Sequence, residues 1–350
     1  LMGRQQCRSL PAVSFDPAMN KLAIIGAGGW GTALSIVLCR DARLISLWAY
    51  EPDLCQRLRE TRENDLFLPG FRLPPNVSPT NDLAQAVEGA DTVLTVMPSH
   101  HCRALYRQMV PFLRPEMRLV SATKGLENQT LLRMSRVIAE VVGERFRPAL
   151  AALSGPTFAR EVAAGQPAAV VIASEDAELA RSLQREFSGP TFRLYTNPDV
   201  AGVEYGASLK NVIAIGAGVC DGLGLGSNSL AALITRGLAE ITRLACALGA
   251  RRETLFGLAG MGDLVLTCTG ALSRNRGLGV ELARGRPLKD IISSMRMVAE
   301  GVNTTVAAVE LARRAGVEMP ITEQMHAMLF EGRPPREAIR ELMERTLKTE

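Results

Sequence analysis

Aromatic residues are sparse in this chain, 5% of 350 positions, and its net charge is only +4 with no basic block. A nucleic-acid groove built of stacked rings and lysine runs is therefore not expected, whereas a small anionic ligand is compatible. Histidine is scarcer still. His100, His101 and His326 form no i, i+4 pair, so no metal site is expected. The seven cysteines, at 7, 39, 55, 102, 220, 246 and 268, include no C-x-x-C pair, which favours reduced thiols in the cytoplasm over a disulfide framework. Long apolar runs are missing too: nothing approaches the roughly 20 continuous apolar residues of a membrane span. Residues 2–18 lack the apolar core of a signal peptide, and Cys7 stands where a myristoylation motif needs Ser or Thr. Residues 1–18 read as a disordered or vector-derived lead-in to Met19.

What is present is an apolar fraction of 47%, over a length that supports a full core and two domains. Leu22–Ile25 is a short apolar run closed by Gly26, followed by an amphipathic stretch from Trp30 to Arg40 and a second run, Leu44–Trp48. This is a β-α-β pattern. Further runs at Thr92–Met97, Arg118–Ala122, Ala149–Leu153 and Ala169–Ala173 alternate with helix-like segments at 99–110, 130–142 and 176–187. Such alternation predicts an α/β fold with a mostly parallel, doubly wound Rossmann-type sheet. After Asn197-Pro198 the apolar residues recur at helical spacing, so an all-α C-terminal domain is expected. The division is 19–197 for dinucleotide binding and 198–350 for substrate binding and catalysis.

Gly26-Ala27-Gly28-Gly29-Trp30-Gly31 fits G-x-G-x-x-G between a predicted strand and a predicted helix. Gly26 permits the tight turn, Gly28 lets a pyrophosphate approach, and Gly31 lets helix and strand pack closely. Glu51 lies about 20 residues onward, where an acid often bonds the ribose hydroxyls of NAD; as a cap of the helix beginning near Pro52 it would be merely structural. The cofactor is NAD or NADP, with Glu51 favouring NAD.

Between Tyr205 and Cys220 the only ionisable side chain is Lys210. An ammonium in that apolar, small-residue stretch loses hydration, which lowers its pKa toward that of a general base; the other reading is a lysine snorkelling to water. Lys124 follows a strand on the loop Ala122-Thr123-Lys124-Gly125-Leu126-Glu127, over the crevice or simply solvated. Ser154-Gly155-Pro156-Thr157-Phe158-Ala159 offers hydroxyl and backbone donors, or is a plain helix-starting turn. Asp263, after Gly257–Gly262, can orient a lysine or cap a helix. The turn Ser273-Arg274-Asn275-Arg276-Gly277 carries guanidinium forks suited to phosphate, or is a surface loop.

The order and spacing of these motifs, with Leu209-Lys210-Asn211, Gly262-Asp263-Leu264 and Val298-Ala299-Glu300-Gly301 among them, resemble the NAD(P)-dependent glycerol-3-phosphate dehydrogenases of the bacterial type, from about Lys21 to about Gln324. The resemblance implies reversible reduction of dihydroxyacetone phosphate to sn-glycerol 3-phosphate for phospholipid synthesis. It implies Lys210 as the proton acceptor, with Lys124, Asp263 and Asn211 assisting. Lys124, Gly155, Thr157, Lys210, Asp263, Ser273, Arg274 and Asn275 become substrate contacts. Gly29, Trp30, Ala159, Val298 and Glu300 become cofactor contacts, with Lys124 and Arg274 touching both ligands. A small phosphorylated substrate and a homodimer are the expected partners.

Two departures from the family stand out: Tyr50 stands where it often has His or Arg near the adenosine ribose, and Ala207-Ser208 replaces the commoner Gly-Ala before Leu209. A hydroxy-acid or 6-phosphogluconate type dehydrogenase also pairs a Rossmann domain with helices and a lysine base. The Ser273-Arg274-Asn275 turn and the adjacent Lys210-Asn211 argue against it. A non-catalytic NAD(P)H sensor would leave Lys124, Lys210, Asp263 and Arg274 unexplained.

Overall fold

A computed structural model of the chain describes residues 21–40, 43–295 and 299–347. The lead-in 1–18 and Val298 lie outside the described residues. Eight strands form one sheet: β1 (Lys21–Ile25), β2 (Leu44–Trp48), β3 (Val77–Thr80), β4 (Thr92–Thr95), β5 (Arg118–Ser121), β6 (Ala149–Ser154), β7 (Ala168–Ala173) and β8 (Phe192–Asn197). Their order across the sheet is β8-β7-β6-β5-β4-β1-β2-β3. The chain winds outward one way from β1 to β3 and the other way from β4 to β6. The switch point between β1 and β4 opens a crevice at the strands' carboxyl ends, where open α/β sheets bind ligands.

Both faces of the sheet are covered, as the strand sequences require. Along β1, Leu22 and Ile24 enter one buried cluster while Ala23 and Ile25 enter another. A strand apolar on both sides needs helices on both sides. The alternation read from the sequence thus appears as the expected doubly wound architecture.

Three features go beyond that reading. β3 and β8 are edge strands; β3 carries Pro79, tolerated at an edge, and β8 alternates buried and exposed residues, so neither shows a continuous apolar run. Glu63–Asn64 and Leu68–Arg72 form a separate two-stranded antiparallel ribbon. Finally, β7 pairs antiparallel with β6, with Ala152 opposite Ala173, and β8 runs parallel to β7. The last two strands therefore run against the first six.

After Asn197 every described element is helical. The central helix, Val200–Gly222, is buried along almost its whole length, as expected of a helix apolar on all sides. Helices Ser227–Ala247, Asp263–Thr269, Arg274–Ala283 and Glu300–Ala315 pack around it. Among the described residues no single helix is long and apolar enough to cross a membrane.

Candidate active site

The glycine turn leaves β1 at the switch point. Gly26 holds φ +121°, and a Cβ there would lie 2.3 Å from the Val96 carbonyl oxygen on the chain leaving β4. At Gly31 a Cβ would come within 1.8 Å of the Gly26 oxygen, whereas a Cβ on Gly28 would meet nothing within 4 Å. Two glycines thus serve packing, and the third opens onto space in front of the helix Gly29–Val37. The first amides of that helix have no intrahelical partner and favour an anion. A dinucleotide pyrophosphate fits this turn.

Around it, a Cβ on Gly29 would sit 3.8 Å from the Ala159 methyl, so Ala159 borders the turn. Trp30 packs edge-on against Phe192 at 6.4 Å between ring centroids, its indole N–H buried without a hydrogen-bond partner. Tyr50 is exposed beyond β2 and meets Trp48 edge-on. Glu51 occupies the N-cap position of Pro52–Thr61 but caps no amide with its side chain.

In the helical half, Lys210 projects from the central helix into a buried polar cluster. Its Nζ donates to Asp263 Oδ1 and, at 2.7 Å, to Thr267 Oγ1. Lys124 Nζ donates to the other oxygen of the same carboxylate at 2.8 Å and to the Gly155 carbonyl at 3.0 Å. Asp263 is completely buried and Lys210 nearly so. One carboxylate therefore divides its two oxygens between two lysines. Burial is the main cause that brings the Lys210 pKa down to about 8; the Asp263 carboxylate opposes it, and the Lys124 charge adds to the lowering. Snorkelling to water is excluded for Lys210. Asp263 begins its helix after a π-helical turn, Leu258–Gly262, and spends its side chain on the lysines instead of capping.

A second group lies beside the first. Asn211 Oδ1 accepts from Asn275 Nδ2 at 3.0 Å, and Asn275 Oδ1 accepts from the Gly301 amide at 2.9 Å. Asn211 thus meets Asn275 rather than Lys210. Ser273 caps its helix, accepting from the Arg276 amide at 3.3 Å. Thr157 donates to the Gly155 carbonyl at 3.2 Å. Arg274 reaches solvent, yet the surrounding protein lowers its pKa from the usual guanidinium range, with Glu300 opposing. Burial raises Glu300, while its bonds from Ser99 restrain the shift. The Ser99 amide and hydroxyl reach its two oxygens at 3.2 and 2.9 Å. Gly125 touches this pair, since a Cβ there would lie 2.6 Å from the Ser99 side chain. The Lys124 loop, the end of β4 and the start of Glu300–Ala315 therefore meet at one place.

Thr267 and Ser99 were not among the expected site residues. Thr267 stands four residues after Asp263, hence on the same helix face, which could have revealed it. Among the described residues, no three or more His, Cys, Asp or Glu side chains gather as a metal site.

Comparison with known proteins gives the same answer along both halves. Family models described as the N-terminus and C-terminus of NAD-dependent glycerol-3-phosphate dehydrogenase match residues 21–180 and 199–340. The chain belongs to this family. An NAD(P)+ glycerol-3-phosphate dehydrogenase of Koribacter versatilis is 61% identical over 95% of this chain and 99% of that protein. One from Syntrophotalea carbinolica is 54% identical over 94% of this chain and 99% of that protein. The crystal structure of glycerol-3-phosphate dehydrogenase from Coxiella burnetii superposes with a TM-score of 0.90 at 40% identity, covering 93% of this chain and 99% of that one. As a member of the glycerol-3-phosphate dehydrogenase family, the chain is an NAD(P)-dependent oxidoreductase.

Proposed function

We propose that the chain catalyses the reversible NAD(P)H-dependent reduction of dihydroxyacetone phosphate to sn-glycerol 3-phosphate. The observation that carries this reading is the buried Asp263 carboxylate shared by Lys210 and Lys124, with the exposed Arg274 preceding Asn275, which bonds to Asn211 next to Lys210. Arg274 has the fork geometry to hold the substrate phosphate, and that remote binding energy fixes the reacting carbon near Lys210. When bound, the nicotinamide supplies or takes up the hydride. Gly26, Gly28, Gly29, Trp30 and Gly31 would hold the cofactor's phosphates, with Ala159 at their side. Tyr50 and Glu51 would face the adenosine ribose, and the uncommitted Glu51 carboxylate favours NAD.

Lys210 carries the proton. With a pKa of about 8, both its forms are populated near neutral pH. Its amine takes the proton from the C2 hydroxyl in oxidation, and its ammonium returns it to the C2 oxygen in reduction. Lys124 offers a second cation to that oxygen as charge develops on it. Asp263 and Thr267 hold the Lys210 amine in place, while Asn211 and Asn275 brace the substrate side. Glu300, held by Ser99, lies where both ligands would meet.

This reading assigns dinucleotide binding to residues 19–197 and substrate chemistry to 198–350. A homodimer in the cytoplasm, supplying glycerol phosphate for phospholipid synthesis, completes the proposal; light scattering tests the dimer. Steady-state rates with dihydroxyacetone phosphate and either NADH or NADPH test the core of it. Turnover with that substrate, faster with NADH, is the expected result. Turnover of hydroxy acids alone would overturn it.

A further inference from the structure

The ribbon formed by Glu63–Asn64 and Leu68–Arg72 belongs to neither the sheet nor the helical half, yet it touches the glycine turn. At its centre Asn64 is completely buried. Its Nδ2 donates at 2.8 Å to the Ala27 carbonyl and at 2.7 Å to Thr32 Oγ1, and its Oδ1 accepts from the Phe67 amide at 2.9 Å. Both amide hydrogens and the carbonyl are thus engaged, which is what a buried amide requires. Two of those bonds end on the glycine turn and its helix, and the third ends on the ribbon.

The bond to Ala27 fixes more than one oxygen. A trans peptide is planar and points its C=O and N–H in opposite directions. Drawing the Ala27 carbonyl inward onto Asn64 turns the Gly28 amide outward, toward the open space in front of the helix. The bond to Thr32 ties the same side chain to the first turn of that helix. The ribbon is itself pinned. Its Phe67 carbonyl lies 2.8 Å from where a Gly29 Cβ would be, and Arg160 lies over Phe71, 5.5 Å from the ring centroid.

We propose that Asn64 is a positioning residue for the cofactor pyrophosphate: it presets the Ala27–Gly28 peptide so that the turn presents its amide donor without rearranging. This inference rests on the dinucleotide site proposed above. It adds a residue outside the glycine motif and outside the sheet to the cofactor-binding machinery.

Calorimetric titration of the whole protein with NADH, NADPH and ADP tests it. ADP is included because it carries the diphosphate without the nicotinamide. Asn64→Leu, similar in size and uncharged, is expected to weaken the better cofactor and ADP alike by about tenfold, the loss of roughly one or two buried hydrogen bonds. Thr32→Val should weaken them about threefold by the same reasoning. At saturating cofactor, the turnover number and the KM for the triose phosphate should stay within about twofold of wild type. Cofactor and ADP affinities unchanged in Asn64→Leu would overturn the proposal, as would losses spread equally over turnover and both KM values. If Asn64→Leu does not fold by circular dichroism, Thr32→Val decides on the same criteria. A wild-type protein that binds neither dinucleotide would instead sink the dinucleotide reading, a result distinct from either outcome.

Discussion

The two ends of the crevice are made of different materials. At the proposed cofactor end the working groups are backbone amides and empty space: Gly26 and Gly31 lack a Cβ where a carbonyl stands, and Gly28 lacks one where nothing stands. At the proposed chemical end the working groups are buried charges, Lys210 and Lys124 on the two oxygens of Asp263. The first end is specified by what is left out and the second by what is put in. A backbone site tolerates no added atoms, while a charged site tolerates isosteric replacement in shape but not in chemistry. The two ends should therefore fail differently.

The largest expected effect is at the charged end. Lys210→Met removes the proposed proton carrier while keeping an unbranched side chain, so turnover should fall by about a thousandfold while titrations with cofactor and substrate still show binding. Near-normal turnover would remove Lys210 from its role. At the backbone end, Gly31→Ala forces a Cβ to within 1.8 Å of the Gly26 oxygen. It should cost about 3 kcal/mol of stability in denaturant melts. Gly28→Ala meets no protein atom within 4 Å, so its melting curve should match wild type while cofactor affinity drops about tenfold. Equal behaviour of the two variants would erase the distinction between packing and ligand-facing glycines.

Arg274→Ala comes next. Loss of a charge-assisted hydrogen-bonding group should raise the KM for the phosphorylated substrate about tenfold or more, with the KM for cofactor changing far less. The smallest effect is in pH. With Lys210 at about 8, the oxidation rate should rise by about tenfold per unit up to that pH and then level off, since the neutral amine is the base. The reduction rate should fall above it. Lys124→Met removes a cation that lowers this pKa, so the limb should move to higher pH in whatever activity remains.

The two ends also differed in how legible they were. The glycine turn, β1, β2 and the helix between them announce themselves through local periodicity, and their bounds fall within a few residues of the expected ones. Lys210 was visible as one charge in an apolar helix. Its surroundings carry no local signal, because Asp263 and Lys124 approach it from 53 and 86 residues away along the chain, and only the family resemblance pointed to them. Asn64 carries no sequence signal at all. A lone Asn in a turn-rich stretch reads as a loop, and only its bond to Ala27, 37 residues earlier, reveals otherwise. Edge strands β3 and β8 were missed for a simpler reason: β3 is four residues, Val-Ser-Pro-Thr, and β8 alternates buried and exposed residues, so neither has the continuous apolar run by which the inner strands were found.

The reversal at β7 has a consequence for how this fold can vary. A parallel strand after β6 would need its connection to travel the length of the sheet before re-entering it. Because β7 runs back against β6, the segment between Ser154 and Ala168 starts and finishes at the crevice. It carries Gly155, Thr157 and the helix Ala159–Ala163. Insertions or deletions there would remodel the mouth of the crevice without disturbing a strand register. The fold thus keeps an adjustable stretch of chain beside Lys124, whose amine donates to the Gly155 carbonyl.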